Sequence, residues 1–226
     1  MTLRLLGQAS NEQRLTRARR PRLARGYVLA GGASTRFGQD KALVELGGKS
    51  SLARMLEVLK ESGVRETIVV GKKSRYGRFG ARCIEDKWPG EGPLGGIVTA
   101  LHSSVVNKYG YRWSLIIGCD MPFLRAEWLA YLLGRAWQSE ADIVVPRSGK
   151  GLEPLCACWR TGAVSKLQHA FEDGIRKVTE AMKRVSMEVV DEGAWKRFDD
   201  SGRLFWNMNT PAEYEEARRI LEAERR

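Results

Sequence analysis

The sequence predicts one α/β domain built around a mainly parallel sheet. Three observations carry that prediction. Short apolar runs rich in β-branched residues alternate with longer stretches of helical periodicity, the mark of βαβ units. Glycine-rich and polar segments fall at the ends of the apolar runs, where open parallel sheets bind ligands. No repeat or low-complexity linker divides residues 26–226, and 226 residues suit one large domain or at most two small ones.

The elements follow in order. YVLA (27–30) reads as the first strand and runs straight into GGASTRFG. Gly47 and Gly48 read as a hairpin-like turn after ALVEL. Leu52, Met55, Leu56 and Leu59 then recur at helical spacing, with Ser50 or Ser51 as the cap and Gly63 as the stop. ETIVVG (66–71) is a buried strand and RCIED (82–86) a shorter one. A helix over 94–105 follows the GEGPLGG turn, and WSLIIGCD (113–120) is the strongest strand signal in the chain. Trp128, Leu129, Leu132 and Leu133 mark the next helix. DIVVP (142–146) and EPLCACW (153–159) predict two more strands, with helices near 162–172 and 175–183 and a strand at MEVV (187–190). Thr210 and Pro211 are a start signal for a last helix over 211–224.

Composition closes off several classes. Apolar residues make up 43% and charged residues 29%, enough for a full core. No apolar run approaches the roughly 18 residues of a membrane span. Four Cys in a chain of this length do not make a disulfide framework. The net charge of +11 is uneven: seven Arg against Glu12 give residues 1–25 a charge of +6, which leaves +5 for the rest. That first segment lacks the apolar core of a secretory signal. It reads as a flexible basic extension, with a leader or misassigned start and a specific binding arm as the alternatives. The mildly basic body suits a phosphate-bearing ligand as well as it suits nucleic acid.

LAGGASTRFGQDKA (29–42) is the most informative stretch. Gly31, Gly32 and Gly38 let main-chain N–H groups approach an anion, Ser34 and Thr35 add hydroxyls, and Arg36 and Lys41 add cations. Such a loop can wrap several phosphate oxygens. It is not a dinucleotide fingerprint, because adjacent Gly31 and Gly32 do not supply G-x-G-x-x-G, and GGKSS (47–51) lacks the first glycine of a Walker A loop. Asp120, at the end of the apolar strand LIIGC, is a natural Mg²⁺ ligand for a triphosphate site, since Mg²⁺ takes one or two carboxylates plus phosphates and water.

The pattern [LA]-x-G-G-x-S-x-R-x-G-x-D-K resembles the signature loop of the Rossmann-like nucleotidyltransferases, and within them the molybdenum cofactor guanylyltransferases. Further blocks follow in order: IED (84–86), GPLGGI (92–97), GCDMPFL (118–124), EPLCACW (153–159), GIRKV (174–178) and NMNTPAEY (207–214). The resemblance spans residues 27–214 and implies a three-layer nucleotidyltransferase fold over 26–226. It implies transfer of GMP from GTP to the phosphate of molybdopterin, with Mg²⁺ as cofactor. Enzymes that accept the finished cofactor, or their chaperones, are the further partners, in the cytoplasm; neither membrane nor nucleic acid is expected.

Site residues follow from the same resemblance. Leu29, Ala30, Gly31, Gly32, Lys41, Gly71, Asp86 and Asp120 fall to the nucleotide, and Asp120 to the metal. Arg36 would neutralise the β- and γ-phosphates, and Lys41 the α-phosphate, which makes Arg36, Lys41 and Asp120 the catalytic set. Arg176, Lys177, Asn207 and Asn209 would meet the pterin substrate. The two Asn lie on one face if extended, with a cap and turn role as the alternative. Relatives often carry a nucleotide-contacting Asn where this chain has Gly71, which leaves that contact to backbone or to Lys72. Cys83, Cys119, Cys156 and Cys158 read as small core residues, and His102 and His169 have no nucleophile motif beside them. The alternatives are a molybdopterin cytidylyltransferase, a sugar-phosphate nucleotidyltransferase, and a non-catalytic nucleotide-binding regulator.

Overall fold

The structure is a computed structural model that describes residues 23–31, 40–107 and 109–224. The basic segment up to residue 22, and Gly32, Ser34, Thr35, Arg36 and Gly38 of the glycine loop, lie outside the described residues.

In chain order, β1 (Ala24–Leu29) is followed by the hairpin β2 (Glu45–Leu46) and β3 (Lys49–Ser50), then α1 (Ser51–Glu61), β4 (Glu66–Val70) and β5 (Arg82–Ile84). Next come α2 (Pro93–Val105), β6 (Trp113–Gly118), α3 (Ala126–Gln138), β7 (Ile143–Ser148), β8 (Gly151–Leu152) and β9 (Cys156–Arg160). The chain continues through α4 (Val164–Glu172) and β10 (Met187–Val190) to α5 (Pro211–Ala223). The main sheet has the order β10-β7-β9-β6-β1-β4-β5, with β8 on β7. All neighbours on the main path are parallel except β9, which runs against both β6 and β7.

Period-two alternation on β1 explains the three layers. Val28 faces α1 and α3, where Leu52, Met55, Leu59, Trp128, Leu129 and Leu132 pack with Leu115 and Ile117 of β6. Tyr27 and Leu29 face α2 and α4, where Leu94, Ile97, Leu101, Leu167 and Phe171 pack with Ile68 and Val70. The central strands β1 and β6 are therefore buried on both faces, as a sheet covered by helices requires.

Local signals act as read. Ser50 accepts from Ala53 N at 3.2 Å and caps α1. Gly47 and Gly48, both left-handed at φ 58° and 77°, make the two-residue turn of the β2–β3 hairpin. Thr210 and Glu213 close a reciprocal capping box around Pro211 at the start of α5.

Three boundaries are corrected. The basic extension was expected to run to residue 25, but Ala24 and Arg25 belong to β1. Arg25 is buried there because its guanidinium pairs with Glu66 at 2.7 Å, donates to Ser103 O at 2.8 Å and lies 4.3 Å from the Tyr111 ring. The strand expected from 153 starts at Cys156, after a turn in which Cys156 N donates to Glu153 O. The helix expected over 175–183 shortens to a turn at Val178–Ala181 and a 3₁₀ turn at Met182–Arg184. Left-handed Gly174 ends α4, with Ile175 N bonded back to Ala170 O at 3.0 Å.

Candidate active site

Because β1, β4, β5 and β6 are parallel, their C-terminal ends share one rim, and five expected site residues stand on it. Ala30 and Gly31 follow β1, Gly71 follows β4, Asp86 lies just past β5, and Asp120 lies just past β6. The backbones are locked side by side, with Ala30 N on Val70 O and Gly71 N on Ile84 O, each at 2.9 Å. Leu29 is the last residue of β1 and packs into the α2 face of the core.

Residue 71 has no room for a side chain. A Cβ there would lie 2.1 Å from Ala30 O and 2.7 Å from the Tyr76 ring. Tyr76 itself is buried and donates its hydroxyl to Asp40 Oδ2 at 2.8 Å. The other Asp40 oxygen accepts from Ala42 N at 3.1 Å and caps the 3₁₀ turn Lys41–Leu43. The exit of the glycine loop is thus anchored to the chain that follows β4, and Lys41 is the first residue after that anchor.

Lys41 Nζ donates to Asn209 Oδ1 at 2.9 Å. Asn209 is itself fixed, its N–H donating to Glu213 Oε2 at 2.8 Å. One residue earlier, Met208 N donates to Asp120 O at 2.9 Å. The segment before α5 therefore links the turn at Asp120 to the side chain of Lys41. Asn207 does something different: its amide donates to Phe205 O at 3.2 Å, so the two asparagines do not act as a matched pair.

Burial pushes the Asp120 carboxyl up, and the charge of Lys41 opposes that shift. Glu153, at the start of the turn into β9, is also pushed up by burial; Ser148, bonded at 2.6 Å, and Lys150 oppose the shift, and the charge of Asp120 adds to it. Asp86 Oδ1 accepts from Trp88 N and from Thr99 Oγ1, each at 3.0 Å. Its Oδ2 lies 3.8 Å from where a Cβ on Gly96 would be, beside Leu29. Arg176 and Lys177 are both exposed, and Arg176 is engaged with Glu91 at 2.6 Å.

Sequence reasoning missed Asp40, Tyr76 and Glu153. Asp40 and Glu153 stood inside the quoted blocks, but a role for Tyr76 had no local signal. The cysteines are free, with Cys156 and Cys158 fully buried, and His102 pairs with Gln168 at 2.6 Å. Among the described residues no group of three His, Cys, Asp or Glu could hold a metal ion. A lone half-buried carboxylate fits Mg²⁺, which takes the rest of its shell from phosphate oxygens and water.

A three-layer fold with a loop, a lysine and a half-buried carboxylate on one rim is the architecture of a nucleotidyltransferase. A protein of Pelotomaculum thermopropionicum named "probable molybdenum cofactor guanylyltransferase" is 35% identical over 203 residues, covering 89% of this chain and 95% of that one. The molybdenum cofactor guanylyltransferase of Desulfosudis oleivorans is 28% identical, covering 88% and 96%. The crystal structure of molybdopterin-guanine dinucleotide biosynthesis protein A from Archaeoglobus fulgidus superposes with a TM-score of 0.76 at 28% identity, covering 88% and 99%. The MobA-like NTP transferase domain matches residues 26–185, and the chain belongs to that family.

Proposed function

We propose that this protein transfers GMP from GTP to the phosphate of molybdopterin and releases pyrophosphate. The observation that carries the reading is the convergence of Lys41, Asn209 and Asp120 on the strand rim where the glycine loop leaves β1. The curated relatives bearing the guanylyltransferase name supply the substrate class.

The reaction is an in-line displacement at the α-phosphorus. The attacking oxygen belongs to a phosphate and is already anionic, so positioning and charge neutralisation do most of the work. Lys41, held by Asn209, meets the α-phosphate, where charge builds in the transition state. Arg36 and the loop N–H groups take the β- and γ-phosphates. Asp86 turns its Oδ2 to the nucleoside side of the rim. Asp120 would hold Mg²⁺, which would supply charge neutralisation of the phosphates and of the leaving group. Lys177 and Asn207 would meet the acceptor. Four free thiols suit a reducing cytoplasm.

A melting panel with Mg²⁺ and GTP, CTP, UTP, dTTP or ATP tests the reading. A nucleotide at about 100 times its dissociation constant adds about 2.7 kcal/mol, a rise of about 5–11 °C for a chain of this size. GTP alone should give it, and chelation or Asp120→Ala should remove it. A preference for CTP would make the protein a cytidylyltransferase, and no response to any nucleotide would end the proposal.

A further inference from the structure

The loop between β5 and α2 is held at both ends, and only one end belongs to the site described so far. At the first end, Asp86 Oδ1 accepts from Trp88 N while Thr99 Oγ1 accepts from Lys87 N at 3.1 Å. At the far end, Glu91 stands between two left-handed glycines, Gly90 at φ 89° and Gly92 at φ 86°. Flanking glycines leave that stretch the softest in the loop. Two contacts fix it: Glu91 N donates to Trp88 O at 3.2 Å, and Arg176 Nε donates to Glu91 Oε2 at 2.6 Å.

Arg176 is committed on several sides. Its Nη1 donates to Phe171 O at 2.7 Å and Ile175 O at 3.2 Å, and its guanidinium lies 4.0 Å from the centre of the Phe171 ring. Phe171 in turn packs on Trp88 with ring centres 5.0 Å apart. Underneath, α2 presses on the loop: a Cβ on Gly95 would lie 3.1 Å from Trp88 Cβ. The result is a run of contacts from Trp88 through Phe171, tilted 47° to it, to the Arg176 guanidinium, closed by Glu91. An acceptor phosphate arriving at this guanidinium would meet the Glu91 carboxylate at close range, a like-charge contact. That argues against the acceptor role which the family resemblance implies for Arg176.

We infer that Glu91 and Arg176 are positioning residues for the nucleotide, forming a strap that holds the Lys87–Gly92 loop across the start of α2. The loop carries the Trp88 N–H that orients Asp86, so slack at Glu91 passes to the carboxylate facing the nucleoside. This rests on the reading that GTP occupies the rim.

The test is calorimetric titration of GTP with Mg²⁺ into the wild-type protein, Glu91→Gln, Arg176→Met and the double variant. Each single change should weaken GTP binding about fivefold, the scale of a well-formed ion pair near the surface. The double variant should be no weaker than either, because both changes cut one strap. Melting temperatures without nucleotide should stay within a few degrees, which separates positioning from loss of fold. Unaltered binding in both single variants overturns the inference. So does an additive loss in the double variant, or tighter binding in Glu91→Gln with weaker binding in Arg176→Met, which would mark Arg176 as a direct anion contact. If the wild type itself binds no GTP, the reading beneath fails and takes the strap with it.

Discussion

The two ends of β1 hold polar groups that behave in opposite ways. At the start of the strand, Arg25 is satisfied within the protein by Glu66, Ser103 O and the face of Tyr111. Beside it, Tyr27 Oη, Ser104 Oγ and Ser114 Oγ form a buried chain with links of 2.7 and 2.9 Å. At the other end the rim keeps charge in reserve. Asp120 is pushed up by burial that Lys41 only opposes, and Asp86 leaves an oxygen over Gly96. The polar groups at the start of β1 form closed circuits, because an unmet buried group costs about 1–3 kcal/mol. Polar groups that serve a ligand keep capacity for it.

That contrast can be broken by substitution. Arg25→Met removes the buried partner of Glu66, which keeps Arg82 at 3.8 Å, and should cost about 2 kcal/mol, read as a lower denaturant midpoint, with GTP affinity of the folded protein unchanged. Asp120→Ala and Lys41→Ala should each lower turnover about 10²-fold or more, the scale of a lost electrostatic stabiliser, with the midpoint little moved. A large loss of stability in either would place that residue in the closed class. Asn209→Ala frees Lys41 without removing its charge, so turnover should fall about tenfold, between wild type and Lys41→Ala.

The smallest effect concerns acid. Hydrogen bonds from Asn209 N–H, then from Thr210, hold the Glu213 carboxyl below the usual glutamate range, against a burial that raises it. The unfolded chain then binds more protons than the folded one between that lowered value and about 4.3. Stability from Glu213 is therefore complete above the unfolded value and is lost as pH falls through the folded one. Midpoints measured from pH 6 to pH 3 should fall more steeply for the wild type than for Glu213→Gln.

The sheet was legible because its central strands are buried on both faces, and the caps because Ser50, Thr210 and Pro211 act within a few residues of where they stand. Asp120 was legible for a similar reason: a carboxylate ending the most apolar strand has a known position. Arg25 was not, since a charge beside an arginine-rich segment reads as surface until Glu66 is placed against it. The ties of Asp40 to Tyr76 and of Glu91 to Arg176 span 36 and 85 residues, and no local pattern announces a partner so far away. Gly71 was read as a missing side chain, whereas the backbone of Ala30 and the ring of Tyr76 leave no space for one.

The reversed strand β9 has a further consequence. Running against β6 and β7, it brings the chain back at the rim through a short hairpin, with Gly118 N bonded to Leu155 O at 2.9 Å. A parallel neighbour would have needed a helical crossover there. The β7–β8 turn at Gly149 and Lys150 is therefore an interchangeable part: its length and sequence can be rewritten while every parallel strand keeps its register.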